Sequence, residues 1–250
     1  MLTSVRLLRS HLLERVQRGE HLILYGPRGS GKSRLVGQLQ ELLSKADTPC
    51  GVSPATSRLN DITRALELAY PQAAGTARTR RGMRSRLWLA ADERRGALLL
   101  DHVSALSTAM LGFLRRLRGG VAGVLLVVDF DIERDRRHVR ALHVGMLSVR
   151  MPRTDARALR QLLRSACTDT RVTLDGPVQA QIVRAARGRP GWINRCAALM
   201  TQGRYWRDDR LLVNVLCTDT EISLRQGPPG TLVSGARHAS GAYRITSTAQ

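Results

Sequence analysis

The sequence has no hydrophobic run long enough to cross a membrane. Among its 250 residues the longest apolar run is VAGVLLVV, from Val121 to Val128, whereas a bilayer-spanning helix needs roughly 20 apolar residues. Arg6, Arg9 and Arg15 interrupt the leucines near the N-terminus, which leaves no continuous apolar segment typical of a secretory signal. These absences predict a cytoplasmic protein without a membrane partner. A hydrophobic content of 43% also argues against a disordered chain.

Cysteine is scarce and its spacing is uninformative for metal binding. The four cysteines, at positions 50, 167, 196 and 217, form no CxxC pair, and no histidine stands at a metal-binding distance from them in the sequence. The pattern therefore predicts neither a zinc site nor a disulfide framework, but reduced thiols.

Acidic residues and lysines are also few. The chain has 40 Lys+Arg against 20 Asp+Glu, which gives a formal charge of +20 and a pI near 11.5. Only Lys32 and Lys45 are lysines, and a bias in genome base composition would explain that preference for arginine. It would not explain the shortage of acids. The surplus favours a polyanionic partner, with nucleic acid as the first choice and a merely solvated basic surface as the alternative.

A glycine-rich turn follows the first apolar run. Residues 26–33 read GPRGSGKS and fit the pattern G-x-x-x-x-G-K-[ST], between a predicted strand at His21–Tyr25 and a predicted helix at Arg34–Ser44. In such a loop (the P-loop) backbone N–H groups and the helix N-terminus hold the β-phosphate, the lysine reaches the β- and γ-phosphates, and the serine binds Mg²⁺. We predict an ATP site formed by Gly26, Pro27, Arg28, Gly29, Ser30, Gly31, Lys32, Ser33 and Arg34.

A nucleotide site of this kind needs a carboxylate at the end of a second buried strand. The apolar run Gly96–Leu100 ends in Asp101, which we predict to bind Mg²⁺ together with Ser33. Alternatively, Asp101 caps a following helix predicted over Ser104–Leu117.

Further strands alternate with helices along the first part of the chain. Cys50–Ser53, Val121–Val128 and Val144–Val149 are strand candidates, so we predict an α/β fold with a three-layer, parallel P-loop NTPase sheet. From Pro152 onward the strands cease, and helices are predicted over Thr154–Ala166, over Asp175–Arg187 and from Pro190. Leu211–Arg225 is ambiguous between strand and helix. We predict a core at residues 1–152, an all-helical domain at 153–225 and a flexible tail at 226–250.

Four segments together resemble the AAA+ ATPases: GPRGSGKS, LLLDH, LLVVDFD and GRPGWINR. The resemblance covers about residues 1–225. Within the family, the chain most resembles the origin-recognition and transposition-regulator branch of DNA-handling ATPases. It implies a P-loop strand in the middle of the sheet and a small helical lid domain. It also implies ATP between subunits and action as rings or filaments.

The residue after Asp101 departs from this family. The resemblance implies a glutamate there to polarise the attacking water, but the chain has His102. A histidine at its reference pKa is mostly neutral at pH 7, so it could accept a proton but supplies no fixed negative charge. We expect slow hydrolysis, a substitute carboxylate, or ATP acting as a switch. Asp129 stands where the family senses the γ-phosphate, with Asp131 as a competitor. The predicted catalytic set is Lys32, Asp101, His102 and Asp129.

Two arginine roles that the family implies are less well defined in this chain. For an arginine finger acting on a neighbouring subunit the candidates are Arg134, Arg136 and Arg137. In the lid the family often carries an arginine in a motif like G-x-P/A-R, whereas this chain has Gly191 at that position and Arg189 or Arg195 as substitutes.

A basic cluster precedes the strand that ends in Asp101. Arginines at nearly every second position there predict phosphate contacts that are sensitive to salt and largely independent of sequence, although a solvated face would look the same. The predicted DNA-binding residues are Arg78, Arg80, Arg81, Arg84 and Arg86, with Arg115, Arg116 and Arg118 as possible extensions.

Three functional hypotheses follow. The first is an ATP-binding AAA+-like ATPase that acts on DNA as an oligomer and recruits or regulates a partner enzyme in transposition, replication or repair. The alternative is a nucleotide-dependent signalling or defence switch with weak or no hydrolysis. The third is a small-molecule kinase. The C-terminal position of the helical domain argues against it, because such kinases usually carry their lid as an insertion within the core.

Overall fold

A five-stranded parallel sheet forms the centre of the first part of the molecule. The computed structural model describes residues 2–75, 79–103, 107–119, 123–129, 146–170, 172–208 and 210–226. In chain order the strands are β1 His21–Gly26, β2 Cys50–Ser53, β3 Ala97–Leu100, β4 Gly123–Asp129 and β5 Leu147–Arg150. Their order across the sheet is β2-β3-β4-β1-β5, and all neighbouring pairs are parallel. The strand that leads into the P-loop is thus an interior strand.

Helices cover both faces of this sheet. They are α1 Leu2–Gln17, α2 Lys32–Lys45, α3 Leu59–Ala69, α4 Pro71–Ala74, α5 Arg80–Glu93 and α6 Thr108–Gly119. Alternate residues of β4 point to opposite faces, so Val124 and Leu126 pack with α3, α5 and α6, while Leu125 and Val127 pack with α1 and α2. A strand buried on both faces has to be apolar throughout, which explains the continuous hydrophobic run. The predicted three-layer α/β fold is confirmed.

The described residues after β5 form a C-terminal helical region, defined here as residues 156–226. Its elements are α7 Ala156–Thr170, α8 Gly176–Ala186, α9 Pro190–Met200, a short 3-10 turn Gly203–Tyr205, a hairpin of β6 Trp206–Arg207 and β7 Arg210–Leu211, and α10 Val213–Gln226. Asp175 caps α8 by accepting a hydrogen bond from the Val178 N–H. Trp192, Ile193 and Leu216 lie in a separate apolar core of this region.

Several predicted boundaries shift by a few residues. Helix α6 covers Thr108–Gly119, and residues 104–106 of the predicted helix lie outside the described residues. Helix α7 begins at Ala156 rather than at Thr154. The ambiguous segment 211–225 is mainly helical, because α10 occupies Val213–Gln226. The division at residue 152 remains a prediction, and residues 227–250 of the predicted tail lie outside the described residues. Within the described part of the chain, no helix combines the length and the apolar character that a membrane span requires.

Candidate nucleotide site

The P-loop connects the end of β1 to the start of α2. Gly29 and Gly31 have φ values of 78° and 98°, a left-handed backbone that favours glycine and lets the chain curl back on itself. No side chain of the described residues caps the N-terminus of α2. The buried Ser30 hydroxyl likewise has no hydrogen-bond partner among them. The loop therefore presents uncompensated N–H groups and a hydroxyl, which suits an anionic ligand.

Lys32 is buried in the loop, with 4% of its surface exposed. Its ammonium group donates hydrogen bonds to the carbonyl oxygens of Gly26 and Pro27 at 2.7 and 2.9 Å. It also forms an ion pair with Asp129 at 2.7 Å. A buried ammonium needs such partners, and the carboxylate provides one that a phosphate group of a nucleotide can replace.

Asp129 connects three basic side chains at the end of β4. Parallel pairing sets Asp129 beside Gly26, the first residue of the P-loop. Its carboxylate lies 2.7 Å from Lys32, 3.3 Å from Arg28 Nε and 3.2 Å from His102 Nδ1. Burial by itself raises the pKa of Asp129, but the His102 hydrogen bond and the Lys32 charge outweigh burial and bring the pKa below its ordinary value.

His102 lies between the carboxylate of Asp129 and the start of α2. Its backbone has a φ of 47°, an unusual conformation for a residue with a side chain. One ring nitrogen faces Asp129 and the other, Nε2, is 3.4 Å from the Ser33 hydroxyl. The hydrogen bond to Asp129 raises the pKa of His102. Burial opposes this rise, and the nearby carboxylates of Asp101 and Asp129 add to it.

Asp101 follows β3 at the same edge of the sheet. It is 5% exposed, and its Oδ1 accepts a hydrogen bond from the His102 N–H at 2.8 Å. Its Oδ2 is 3.9 Å from His102 Nε2, the nitrogen that also approaches Ser33. A hydroxyl and a carboxylate that approach one imidazole are hard oxygen donors of the type that Mg²⁺ prefers, so these residues fit the predicted ion.

The C-terminal helical region reaches the P-loop through its backbone. The Gly191 N–H donates a hydrogen bond to the Gly29 carbonyl at 2.8 Å. A Cβ atom at Gly191 would lie 3.0 Å from both Cα and the carbonyl oxygen of Gly29. Arg28 extends the contact, because its Nη1 donates to the carbonyl of Leu224 at 3.3 Å and to that of Arg225. Close packing on the loop thus explains why a glycine occupies the position where the family resemblance implied an arginine.

The two suggested substitutes for that arginine are engaged within the helical region. Arg189 is 6% exposed and forms a two-pronged ion pair with Glu221, with nitrogen–oxygen distances of 3.2 and 2.8 Å. Trp192 Nε1 donates to the same carboxylate at 3.2 Å. Arg195 Nε donates to the Ser223 hydroxyl at 2.6 Å. Glu221 was missed from the sequence, since 32 residues separate it from Arg189 and no local pattern links them.

The predicted DNA-binding arginines are only partly described. Arg80 begins α5, Arg81 and Arg86 are exposed, and Arg84 donates from Nη2 to Asn60 at 3.4 Å. On α6, Arg116 stacks over the ring of Trp88 at 4.2 Å. Arg78 and the three finger candidates, Arg134, Arg136 and Arg137, lie outside the described residues.

Comparison with known proteins places this fold in a family. Among solved structures, domain III of the replication initiation protein DnaA from Thermotoga maritima is similar, at 13% identity and a TM-score of 0.51, with 88% of this chain and 92% of that chain covered. A Walker-type ATPase of Pyrococcus abyssi is similar at 12% identity and a TM-score of 0.53, with 87% and 71% covered. No curated protein sequence matches significantly. The family model described as AAA ATPase domain matches residues 3–163, and the chain belongs to that family.

Proposed function

We propose that this protein is an ATPase that binds ATP with Mg²⁺, acts on DNA as an oligomer and recruits or regulates a partner enzyme of transposition, replication or repair. The finer place that we propose for it is the origin-recognition and transposition-regulator branch of AAA+ proteins. The observation that carries the proposal is the convergence of Lys32, Ser33, Asp101 and Asp129 at one edge of the sheet, around a helix N-terminus that no side chain of the described residues caps.

In this proposal each group at the sheet edge has a distinct role. The backbone of residues 26–34 holds the phosphates, and Lys32 exchanges Asp129 for the β- and γ-phosphates. Ser33 and Asp101 hold Mg²⁺, which neutralises phosphate charge when it is bound. Asp129 senses the γ-phosphate through the partners that it gains or loses, since Lys32, Arg28 and His102 all contact it.

His102 favours slow hydrolysis. Its imidazole hydrogen bonds with Asp129 and approaches Ser33. Because the residue is a histidine, this position supplies no carboxylate with which to polarise the attacking water. The same observation supports a second candidate function, a nucleotide-dependent switch in which ATP controls protein contacts and is hydrolysed weakly or not at all.

The DNA and oligomer parts of the proposal are supported by charge and by the family. The formal charge of +20 favours a polyanion, and the exposed arginines of α5 provide phosphate contacts. An arginine supplied in trans by position 134, 136 or 137 would couple assembly to turnover.

The deciding experiment is ATP turnover measured with and without duplex DNA. We expect Lys32→Ala to abolish turnover, because the buried ammonium that contacts phosphate is lost. We expect His102→Glu to raise it by about tenfold or more, since general-base catalysis contributes roughly 10²–10⁴-fold in enzymes. His102→Gln is the matched control, because it also removes the imidazole but adds no carboxylate. Equal rates for the glutamate and glutamine variants would contradict the assignment of this position.

Mass measurement separates the two candidate functions. Light scattering with and without ATP should show that the protein assembles when ATP is bound. A pull-down from nuclease-treated lysate should then lose the protein partners that are held through DNA. Partners that survive nuclease treatment would favour the switch.

A further inference from the structure

Helix α7 carries three arginines on one side, which we call the arginine ridge: Arg157, Arg160 and Arg164. All three are exposed. At 3.6 residues per turn their positions fall within a sector of about 60° around the helix. No acidic residue occurs between Ala156 and Thr168. The ridge is therefore a continuous strip of positive charge.

The arginines of the ridge have no carboxylate partner among the described residues, in contrast to several other arginines of the molecule. Among the described residues, ion pairs hold seven other arginines, at positions 15, 18, 28, 94, 189, 204 and 225. The three ridge arginines are thus among those whose charge no carboxylate of the described residues neutralises. An external anion would provide the missing partners.

The apolar side of α7 is already used. Leu159 and Leu163 are 1% and 0% exposed and pack in the core of the C-terminal helical region. A helix that inserts into a membrane surface needs a free apolar face, and α7 has none to offer. What the helix presents outward is charge, and guanidinium groups suit phosphate oxygens particularly well.

We propose that the arginine ridge binds the phosphate backbone of DNA as a second contact surface. It lies on a different helix from the arginines of α5: α5 packs in the core of the sheet region and α7 in the core of the helical region. The ridge spans about 10 Å of helix axis, and one DNA strand presents a phosphate every 3.4 Å or so along its axis. Three arginines can thus reach about three phosphates. The inference rests on the DNA part of the proposed function.

The test compares two triple variants of the whole chain. R157Q/R160Q/R164Q removes the three charges of the ridge. R18Q/R94Q/R204Q is the control, because it also removes three positive charges but from arginines that are ion-paired with carboxylates. Fluorescence anisotropy of a labelled duplex, and of one of its strands alone, is measured with ATP and Mg²⁺ from about 50 to 200 mM salt. ATP affinity and thermal unfolding are measured on the same samples to show that both variants are folded.

We expect the ridge variant to bind DNA at least about tenfold more weakly and to lower the slope of log K against log salt by about 2 to 3, at roughly 0.9 for each phosphate contact. The control variant should retain most of the affinity and slope, and both should bind ATP as the native chain does. Equal losses in the two variants would mean a net-charge effect and overturn the proposal.

Three other outcomes would also overturn it. If the native chain binds DNA and the ridge variant binds equally well, the ridge inference fails while the proposed function stands. If the native chain binds ATP but no DNA, the DNA part of the proposed function fails together with the ridge. Loss of binding to phosphatidylserine vesicles without loss of DNA binding would assign the ridge to a membrane surface instead.

Discussion

The sheet region and the C-terminal helical region both meet the P-loop, but they contribute different groups. The strand ends bring charged side chains to the loop, among them Asp129, which is bound to Lys32 at 2.7 Å. The helical region brings a backbone N–H from Gly191 and backbone carbonyls from the end of α10. Its buried arginine, Arg189, is paired internally with Glu221.

This difference shows where charge chemistry at the site resides. The sheet region holds the charged groups of the site: carboxylates, an imidazole and an ammonium group that contact one another. Changes in this region should therefore alter nucleotide binding and turnover. The helical region touches the loop at atoms that carry no net charge. Changes in the helical region should alter packing and stability. They should affect the nucleotide site only indirectly, by shifting the helices that contact the loop.

The largest effect that would sharpen this comparison is expected from Glu221→Gln. The change leaves the 6% exposed guanidinium of Arg189 without its anion, and we expect a loss of about 2–3 kcal/mol in the free energy of unfolding. Denaturant unfolding measures it. Glu14→Gln is the control, because Glu14 pairs with Arg18 at the exposed surface and its loss should cost less than about 0.5 kcal/mol.

The same pair predicts a pH dependence. The Arg189 hydrogen bond lowers the pKa of Glu221 below its ordinary value of 4.5. A lowered pKa contributes stability that is present above pH 4.5 and is lost as the pH falls through the folded-state pKa. The native chain should therefore lose more stability on acidification than the Glu221→Gln variant does. Parallel acid titrations of the two proteins would contradict the importance of this pair.

A smaller effect is expected at the contact between the two regions. In Gly191→Ala the added Cβ would press on the backbone of Gly29 at 3.0 Å, and we expect a loss of about 1–2 kcal/mol, as for other overpacked sites. Gly37→Ala is the matched control. It lies inside α2 with no atom within 4 Å of the added carbon, so it should gain about 0.5–1 kcal/mol. If both alanines stabilise the protein in thermal melts, the helical region does not pack closely on the loop.

The smallest effect concerns His102. NMR titration should give a pKa above the ordinary value of 6.5, because of the hydrogen bond to Asp129, and the pKa should fall in Asp129→Asn. The raised pKa means that the contribution of His102 to stability is present below pH 6.5 and is lost as the pH rises through the folded-state pKa. His102→Gln identifies the resonance. A His102 pKa that is unchanged in Asp129→Asn would break the coupling on which the comparison rests.

Much of the sheet region could be predicted because its signals are local. The glycine pattern of residues 26–33 and the strand ending at Asp101 are short, continuous segments, and alternation of strands with helices indicates parallel pairing. The substitutes for the lid arginine were harder to judge. Gly191 approaches Gly29 across more than 160 residues of chain, and Glu221 meets Arg189 across 32, so no spacing rule reports either contact.

The sequence by itself determined the phosphate-binding loop, the two acidic strand ends and the basic balance, since each depends on residue types at short spacing or on composition. Only the tertiary structure decided which charges neutralise one another. Ion pairs form between groups that folding brings within a few ångströms. The pairing of Lys32 with Asp129, and the lack of a carboxylate partner for the arginine ridge within the described part of the chain, therefore follow from the arrangement of strands and helices in space.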